Sequence, residues 1–248
     1  MSEFRLETRI TTVRWRTTGY SERIPTPPPP KRHPYHQWAP DARALDLVGD
    51  KWTLLIVRDL AGGPRRFVEL QRVLPGISTE QLRSRLNRMV ADGLLTRQRY
   101  REVPPRVDYE LTERARDLLP VVGALARWGY RWAWNPPRPG EAIDVGAILR
   151  CAPGLMAPNA LKGTVELTIT DGSVPCTHVL QARGGHVVYA ERSAPEADAR
   201  ISGPERAWVE AFGVDASRTE LEVSGDAALA EKLLDFLAAT AVRQAAVA

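Results

Sequence analysis

Hydrophobic residues between positions 40 and 93 recur at helical spacing and predict four consecutive helices. We expect Arg65-Arg66 to open the third helix and Ser78 to cap the fourth, because a serine side chain can accept a hydrogen bond from the first helical turn. Glycine and proline mark the ends of the helices, at Gly49-Asp50, Gly62-Gly63-Pro64, Pro75-Gly76 and Gly93.

Alternating polarity after Gly93 predicts a β-hairpin with Pro104-Pro105 at its tip. Thr112 then caps a long helix, which we expect Pro120 to kink. The first strand of the hairpin places three arginines on one face, at Arg97, Arg99 and Arg101. Apolar positions of the long helix lie near one stripe, at Leu118, Val121, Val122, Leu125, Trp128 and Trp132.

The residues between 135 and 144 are rich in proline and predict a linker. Beyond the linker, alternating apolar positions predict several short strands, and we expect Pro204 to start a short helix and Asp226 to cap a final one. We therefore divide the chain into a proline-rich, flexible extension (1–38), a helix-and-hairpin domain (39–134), the linker (135–144) and a second domain (145–248).

The net charge of +4 hides an opposite balance in the two halves of the chain. Residues 1–140 hold 25 Lys and Arg against 15 Asp and Glu, whereas residues 141–248 hold 9 against 15. The first half therefore suits a polyanion, which the second half would repel. Since the sequence has no signal peptide and no apolar run of about 18 residues, we expect a cytoplasmic protein with no membrane partner.

The sequence offers little catalytic chemistry. Two cysteines, Cys151 and Cys176, and four dispersed histidines form neither a disulfide framework nor a metal set, so we expect no metal and no cofactor. No phosphate-binding glycine loop, G-x-S-x-G elbow or H-E-x-x-H motif occurs. We therefore predict that the protein is not an enzyme.

The predicted fourth helix has an apolar face and a polar face. A helix of this kind can lie in a DNA major groove, where the side chains of Arg, Asn and Gln match base edges, while nearby arginines meet phosphates. A solvated surface would explain any one of these arginines, but not their arrangement on capped helices and a hairpin. The predicted DNA-binding residues are Arg65, Ser78, Thr79, Gln81, Arg83, Ser84, Asn87, Arg88, Arg97, Arg99, Arg101 and Arg106.

Residues 39–134 resemble the HxlR-type winged helix-turn-helix regulators. The motifs that carry the resemblance are ARALDLVGDKWTLLI at 42–56, GPRRF at 63–67, LPGIS at 74–78, DGL at 92–94 and YELT at 109–112. The resemblance implies a homodimer bound to an inverted repeat in double-stranded operator DNA, with a Ser78–Met89 helix in each major groove. It also implies dimerisation through the first helix and the long helix, at Leu118, Val122, Leu125, Trp128 and Trp132.

One position departs from that family. Many members sense oxidants through a cysteine just before the first helix, where this chain reads Gln37-Trp38-Ala39-Pro40. A thiol switch at this position is therefore excluded, and a signal must enter elsewhere.

Residues 145–248 resemble the sterol carrier protein type 2 family. The strand pattern, Gly203-Pro204-Glu205 before a tryptophan-bearing helix, and LEVSGD at 221–226 carry the resemblance. It implies an antiparallel sheet with helices on one face, enclosing an apolar tunnel, although the same side chains could equally form a filled core. The candidate ligand-binding residues are Val165, Leu167, Ile169, Val187, Tyr189, Trp208, Phe212, Leu233 and Leu237.

Together these features predict an α+β protein with an N-terminal winged helix-turn-helix domain and a sterol-carrier-like domain. The predicted function is that of a dimeric, sequence-specific DNA-binding regulator, by default a repressor, whose second domain senses a hydrophobic small molecule. The alternative is a lipid or acyl-chain carrier whose basic half docks on acidic partners or membranes.

Overall fold

A computed structural model describes residues 34–100, 106–171, 176–213 and 215–238. Most of the predicted extension, the hairpin tip and Arg101 lie outside these ranges. The elements of the first half are α1 (Pro40–Val48), α2 (Thr53–Asp59), β1 (Arg65–Arg66), α3 (Phe67–Val73), α4 (Thr79–Ala91), β2 (Leu95–Tyr100), β3 (Arg106–Leu111), α5 (Glu113–Arg116) and α6 (Leu119–Trp132). The strands form a three-stranded antiparallel sheet of order β1-β3-β2, and we call the β2–β3 hairpin the wing.

Asp50 organises the junction between α1 and α2. Its carboxylate accepts hydrogen bonds from the backbone N–H groups of Trp52 and Thr53 at 2.8 and 3.0 Å, which caps the start of α2. The same carboxylate pairs with Arg85 of α4 at 2.9 Å. The Gly49-Asp50-Lys51-Trp52 segment therefore connects three helices, so this part of the sequence has a structural role.

Two expectations for this half were wrong in detail. Arg65-Arg66 do not open a helix but form β1, paired with Tyr109 and Asp108, and α3 begins at Phe67. The expected long helix is divided into α5 and α6, with Pro120 in the first turn of α6. Proline costs little there because a first-turn N–H has no partner within the helix, so the chain needs no kink inside the helix.

The second half is a mixed sheet with helices packed against it. Its strands follow the order β6-β5-β4-β7-β8, and β4 runs parallel to β7, so the expected fully antiparallel sheet was wrong at this pair. Helix α7 and strand β7 were not predicted from the sequence. The elements are α7 (Val145–Leu149), a 3-10 turn (Ala152–Gly154), β4 (Gly163–Ile169), β5 (Cys176–Arg183), β6 (His186–Ala190), β7 (Ala199–Gly203), α8 (Glu205–Ala211), β8 (Glu222–Gly225) and α9 (Ala227–Ala238).

Side-chain alternation and capping explain the expected elements of this half. The apolar positions of β4 face a continuous core that α8 and α9 complete. Pro204 precedes α8, and the indole of Trp208 donates hydrogen bonds to the carbonyls of Thr168 and Gly203, each at 3.2 Å. Asp226 caps α9 by accepting from the N–H of Leu229 at 3.0 Å. Both helix starts match their sequence signals.

The two halves pack directly on each other. A Cβ atom on Gly123 of α6 would lie 2.1 Å from the carbonyl oxygen of Gly154, so the two backbones meet without side chains between them. The loop after α2 lies against β6, where a Cβ atom on Gly62 would lie 2.6 Å from the ring of Tyr189. Among the helices of the described ranges, none is long and apolar enough to cross a bilayer.

Candidate nucleic-acid interface and interdomain site

The N-terminus of α4 is fixed by reciprocal hydrogen bonds. The Ser78 hydroxyl accepts from the N–H of Gln81 at 3.2 Å, and the Gln81 side chain accepts from the N–H of Ser78 at 3.1 Å. Gln71 of α3 donates to the Thr79 hydroxyl at 2.8 Å, which ties the two helices of the turn together. These bonds hold a polar edge of α4 in solvent, comprising Ser78, Thr79, Gln81, Arg83 and Ser84.

The wing lies beside the C-terminal part of this edge. Arg97 of β2 donates to the side-chain oxygen of Asn87, and its guanidinium lies 5.3 Å from the centre of the Tyr109 ring. Arg99 is exposed on the same strand. Arg106 forms hydrogen bonds of 2.6 to 2.9 Å with Asp108, which orient its guanidinium. Among its described residues, the wing therefore carries one freely exposed arginine and two that are held by neighbouring side chains.

Two predicted DNA-binding arginines occupy other environments. Arg88 is only 8% exposed and lies on the side of α4 that α1 covers, so its placement at a base edge was wrong. Arg65 pairs with Glu191 of the second half, so its guanidinium already has an acidic partner. A helical wheel gives the direction of each side chain on one helix, but it cannot show which neighbouring segment covers that side.

Helix α6 presents three differently occupied faces. Val122 lies in the core of the first half and Leu118 packs partly against it, so the predicted place of Val122 on a dimer surface was wrong. Gly123 faces the second half, and so does Trp134, which lies just beyond the end of the helix. The third face is an exposed apolar stripe of Val121, Leu125, Trp128 and Trp132, and its two tryptophans are 58% and 54% exposed.

A buried arginine joins the two halves. Arg150 is 2% exposed, and it donates to Asp59 of α2 at 2.8 Å, to Glu191 at 3.0 Å and to Asp144. Burial opposes its charge, but Asp59 and then Asp144 outweigh that effect and raise the pKa of Arg150. With Arg65 these residues form the ion cluster: Asp59, Arg65, Asp144, Arg150 and Glu191.

A chain of hydrogen bonds leads from the ion cluster to the edge of β5. The Tyr189 hydroxyl donates to Glu191 at 2.8 Å and lies 2.8 Å from Nδ1 of His178. His178 Nδ1 must therefore carry the proton and donate to Tyr189, which leaves Nε2 to accept from the Cys176 thiol 3.4 Å away. Burial, assisted by Arg150, lowers the pKa of His178 to about 4. The imidazole is thus neutral near pH 7.

Neither cysteine has the electrostatic surroundings of a reactive thiol. Burial raises the pKa of Cys151, and burial together with Glu191 raises the pKa of Cys176. Since the thiolate is the nucleophile, both side chains remain mainly protonated near neutral pH. Within the described ranges, no three His, Cys, Asp or Glu side chains are grouped so as to hold a metal ion.

The nine candidate ligand-binding residues are all buried in the core of the second half. Their side chains fill the space between the sheet and the helices, as expected for the filled-core alternative. Only Trp208 and Phe212 among them also border a half-open cleft of about 1640 Å³ between the two halves. This cleft was not predicted from the sequence, and neither was the pairing of Arg150 with Asp59, because partners 91 positions apart leave no local pattern.

Comparisons with known proteins agree with this two-part architecture. A family model described as HxlR-like helix-turn-helix matches residues 47–136, and the model of the SCP-2 sterol transfer family matches residues 156–238. The regulator BH0655 of Halalkalibacterium halodurans, an HTH-type transcriptional regulator, is 42% identical over 96 residues, covering 38% of this chain and 85% of the relative.

Two further proteins are similar to the first half. The HTH-type transcriptional regulator sll1512 of Synechocystis is 41% identical over 93 residues, which cover 38% of this chain and 69% of the relative. The structure of the reduced form of the regulator YodB from B. subtilis is 32% identical, covers 39% of this chain and 96% of that chain, and has a TM-score of 0.35. Given the matching family model and relatives over the helix-and-wing region, the chain belongs to the HxlR-like helix-turn-helix family of transcriptional regulators and carries a domain of the SCP-2 sterol transfer family.

Proposed function

We propose that the protein is a homodimeric repressor that reads an inverted repeat with α4 and contacts phosphates with the wing. The observation that carries this proposal is the exposed polar edge of α4, whose start is fixed by its capping bonds, together with Arg99 exposed on β2 of the neighbouring wing. Arg83 and Ser84 lie on that edge and suit contacts with base edges. A dimer bound in this way would block polymerase without further partners.

The exposed stripe on α6 is the proposed dimer surface. Side chains such as Trp128 and Trp132 are large and apolar, and a contiguous patch of them favours a protein partner over water. A two-fold axis across the stripe would bring the same residues of two copies together. Sedimentation at micromolar concentration should give a dimer for the full chain, and Trp128→Glu with Leu125→Glu should give a monomer.

The second domain supplies the proposed effector response. Its family suggests a hydrophobic small molecule, and the direct packing of this domain on α2 and α6 gives a bound molecule a physical route to the DNA-binding half. The neutral, protonated cysteines favour such a non-covalent signal over thiol oxidation.

Selection of bound sequences from random DNA, followed by gel shifts at several salt concentrations, tests the DNA-binding proposal. We expect Arg83→Ala to change base preference at one position of each half-site, at a cost of about 1–3 kcal/mol for the preferred base. Arg99→Ala should weaken binding to all sequences alike and reduce the salt slope by about one. Arg206→Ala, on the exposed surface of the second half, is the control and should change neither. A folded protein that prefers no sequence would contradict the proposal.

A further inference from the structure

The interdomain cleft combines α2, α3 and α6 with the linker and α8. Its volume of about 1640 Å³ exceeds the roughly 300–1,000 Å³ of most small-molecule pockets, so it has room for a large ligand. The core of the second half, by contrast, is filled by its own side chains. Within the described residues, space for an effector is therefore found between the domains.

The walls of the cleft are aromatic and held in place. Trp134 is 43% exposed, yet its indole donates to the carbonyl of Phe212 at 2.8 Å, which fixes the ring between the two halves. The rings of Trp134 and Tyr130 lie 4.9 Å apart and are tilted by 56°. Trp52 also borders the cleft. Rigid aromatic walls of this kind favour a flat ring system, because stacking requires no further ordering of the side chains.

The charges that border the cleft are balanced. Of the residues that the structure describes, four cationic and four acidic side chains line it, and one of the arginines, Arg138, is already paired with Glu141 at 3.0 Å. A site for an anionic lipid would require an excess of cations. The balance instead favours a ligand without net charge.

One polar group in the cleft wall is unsatisfied. The hydroxyl of Tyr130 is buried and finds no hydrogen-bond partner among the described residues. Burial, with a contribution from Cys151, raises the pKa of Tyr130, so the hydroxyl keeps its proton and can donate. A buried donor without an acceptor is costly, and a ligand acceptor would recover this cost once the Tyr130 ring turns its hydroxyl toward the cleft.

We propose that the interdomain cleft is the effector site and takes a neutral polycyclic aromatic molecule whose carbonyl oxygen accepts from Tyr130. The inference rests on the effector response of the proposed function and assigns its site and ligand class. Val73 and Pro75 also border the cleft, Val73 at the end of α3 and Pro75 in the segment between α3 and the Ser78 cap of α4. A bound ring system would therefore contact the turn that positions the recognition helix.

Titration of the full-length protein with Nile red, a neutral polycyclic dye that carries a ring carbonyl, tests the site. Ala126 of α6 lines the cleft, whereas Ala124 of the same helix is exposed outside it. We expect saturable binding of one dye per chain, weakened about tenfold or more in Ala126→Trp and unchanged in Ala124→Trp. Tyr130→Phe should weaken the dye roughly fivefold without lowering the stability of the free protein.

The outcomes separate this inference from the proposed function. Equal dye affinity in Ala126→Trp and Ala124→Trp, or no saturable dye binding, would overturn the cleft as the site. Should Ala126→Trp fail to fold, an unchanged dye affinity in Tyr130→Phe would overturn it instead. Gel shifts on the same samples report DNA binding independently. Loss of sequence preference with intact dye binding would count against the regulator and leave the cleft in place.

Discussion

The two halves of this regulator meet through two contrasting surfaces. On one side the ion cluster and the Gly123–Gly154 contact bring charged groups and backbone of the two halves into direct contact. On the other side the same helix, α6, borders a cleft large enough for a sizeable ligand. The closed surface fixes how the domains are oriented, while the open one leaves a space that a small molecule can fill.

From this contrast we expect buried charge to serve orientation more than net stability. A buried ion pair recovers little beyond its desolvation cost, so Arg150 adds little free energy compared with an apolar side chain of the same size. Removing Arg150 is different, because the carboxylates of Asp59 and Glu191 would each lose a cationic partner, leaving Arg58 beside Asp59 and Arg65 beside Glu191. The closed surface should therefore be the more sensitive of the two to substitution.

The largest effect is expected from Arg150→Met. The substitution leaves the Asp59 carboxylate buried with Arg58 as its remaining cation, and breaking a buried pair in this way costs about 3–5 kcal/mol of unfolding free energy. Urea denaturation measures the loss. The matched control is Arg206→Met, since Arg206 pairs with Glu220 on the exposed surface and should lose no more than about 1 kcal/mol. Equal losses of unfolding free energy in Arg150→Met and Arg206→Met would show that the ion cluster has no special role in stability.

The next largest effect is expected from Gly123→Ala. The new methyl group would meet the Gly154 carbonyl oxygen and push the halves apart, at a cost of about 3 kcal/mol, the upper end for overpacking. Gly129→Ala in the same helix is the control, because nothing lies within 4 Å of its added Cβ atom. The control should gain up to about 1 kcal/mol from helix propensity. Thermal unfolding of both variants would show whether the contact, rather than the helix, is responsible.

The smallest of the three effects is a pH dependence caused by His178. Its folded pKa of about 4 lies below the usual 6.5, so between these values the unfolded chain binds a proton that the folded chain does not. Stability is therefore complete above pH 6.5 and falls as the pH drops, by about 2 kcal/mol between pH 7 and pH 5. His178→Gln should remove this part of the slope in urea titrations, and His186→Gln, on the exposed end of the hairpin, should retain it.

The sequence predicted the order of elements in the first half because local signals dominate there. Ser78 caps the helix that its position indicates, and Gly49-Asp50 separates α1 from α2. The short strand at Arg65-Arg66 escaped prediction because its only support is pairing with β3, more than 40 positions away. In the second half β7 was missed for the same reason, since its parallel partner β4 lies across a long connection.

The candidate site was only partly predictable. The polar edge of α4 follows from the spacing of apolar residues, and that part agrees with the positions of Arg83 and Ser84. The burial of Arg88 depends on the segment around α1 that lies beside it, which spacing within one helix cannot reveal. The role of Arg150 depends on carboxylates from distant segments, and the cleft exists only once both halves are folded and packed together.

The glycine pair after α2 illustrates how one domain can restrict the sequence of another. Gly63 has a backbone φ of +130°, which side-chain-bearing residues rarely adopt, so this position is limited by the turn itself. Gly62 is limited by the Tyr189 ring that covers it. In a regulator that consists of the helix-and-wing unit alone, the second restriction would vanish and a larger residue could replace Gly62 at no steric cost. The residue type at Gly62, in a turn of the DNA-binding unit, is thus restricted by the domain that packs against it.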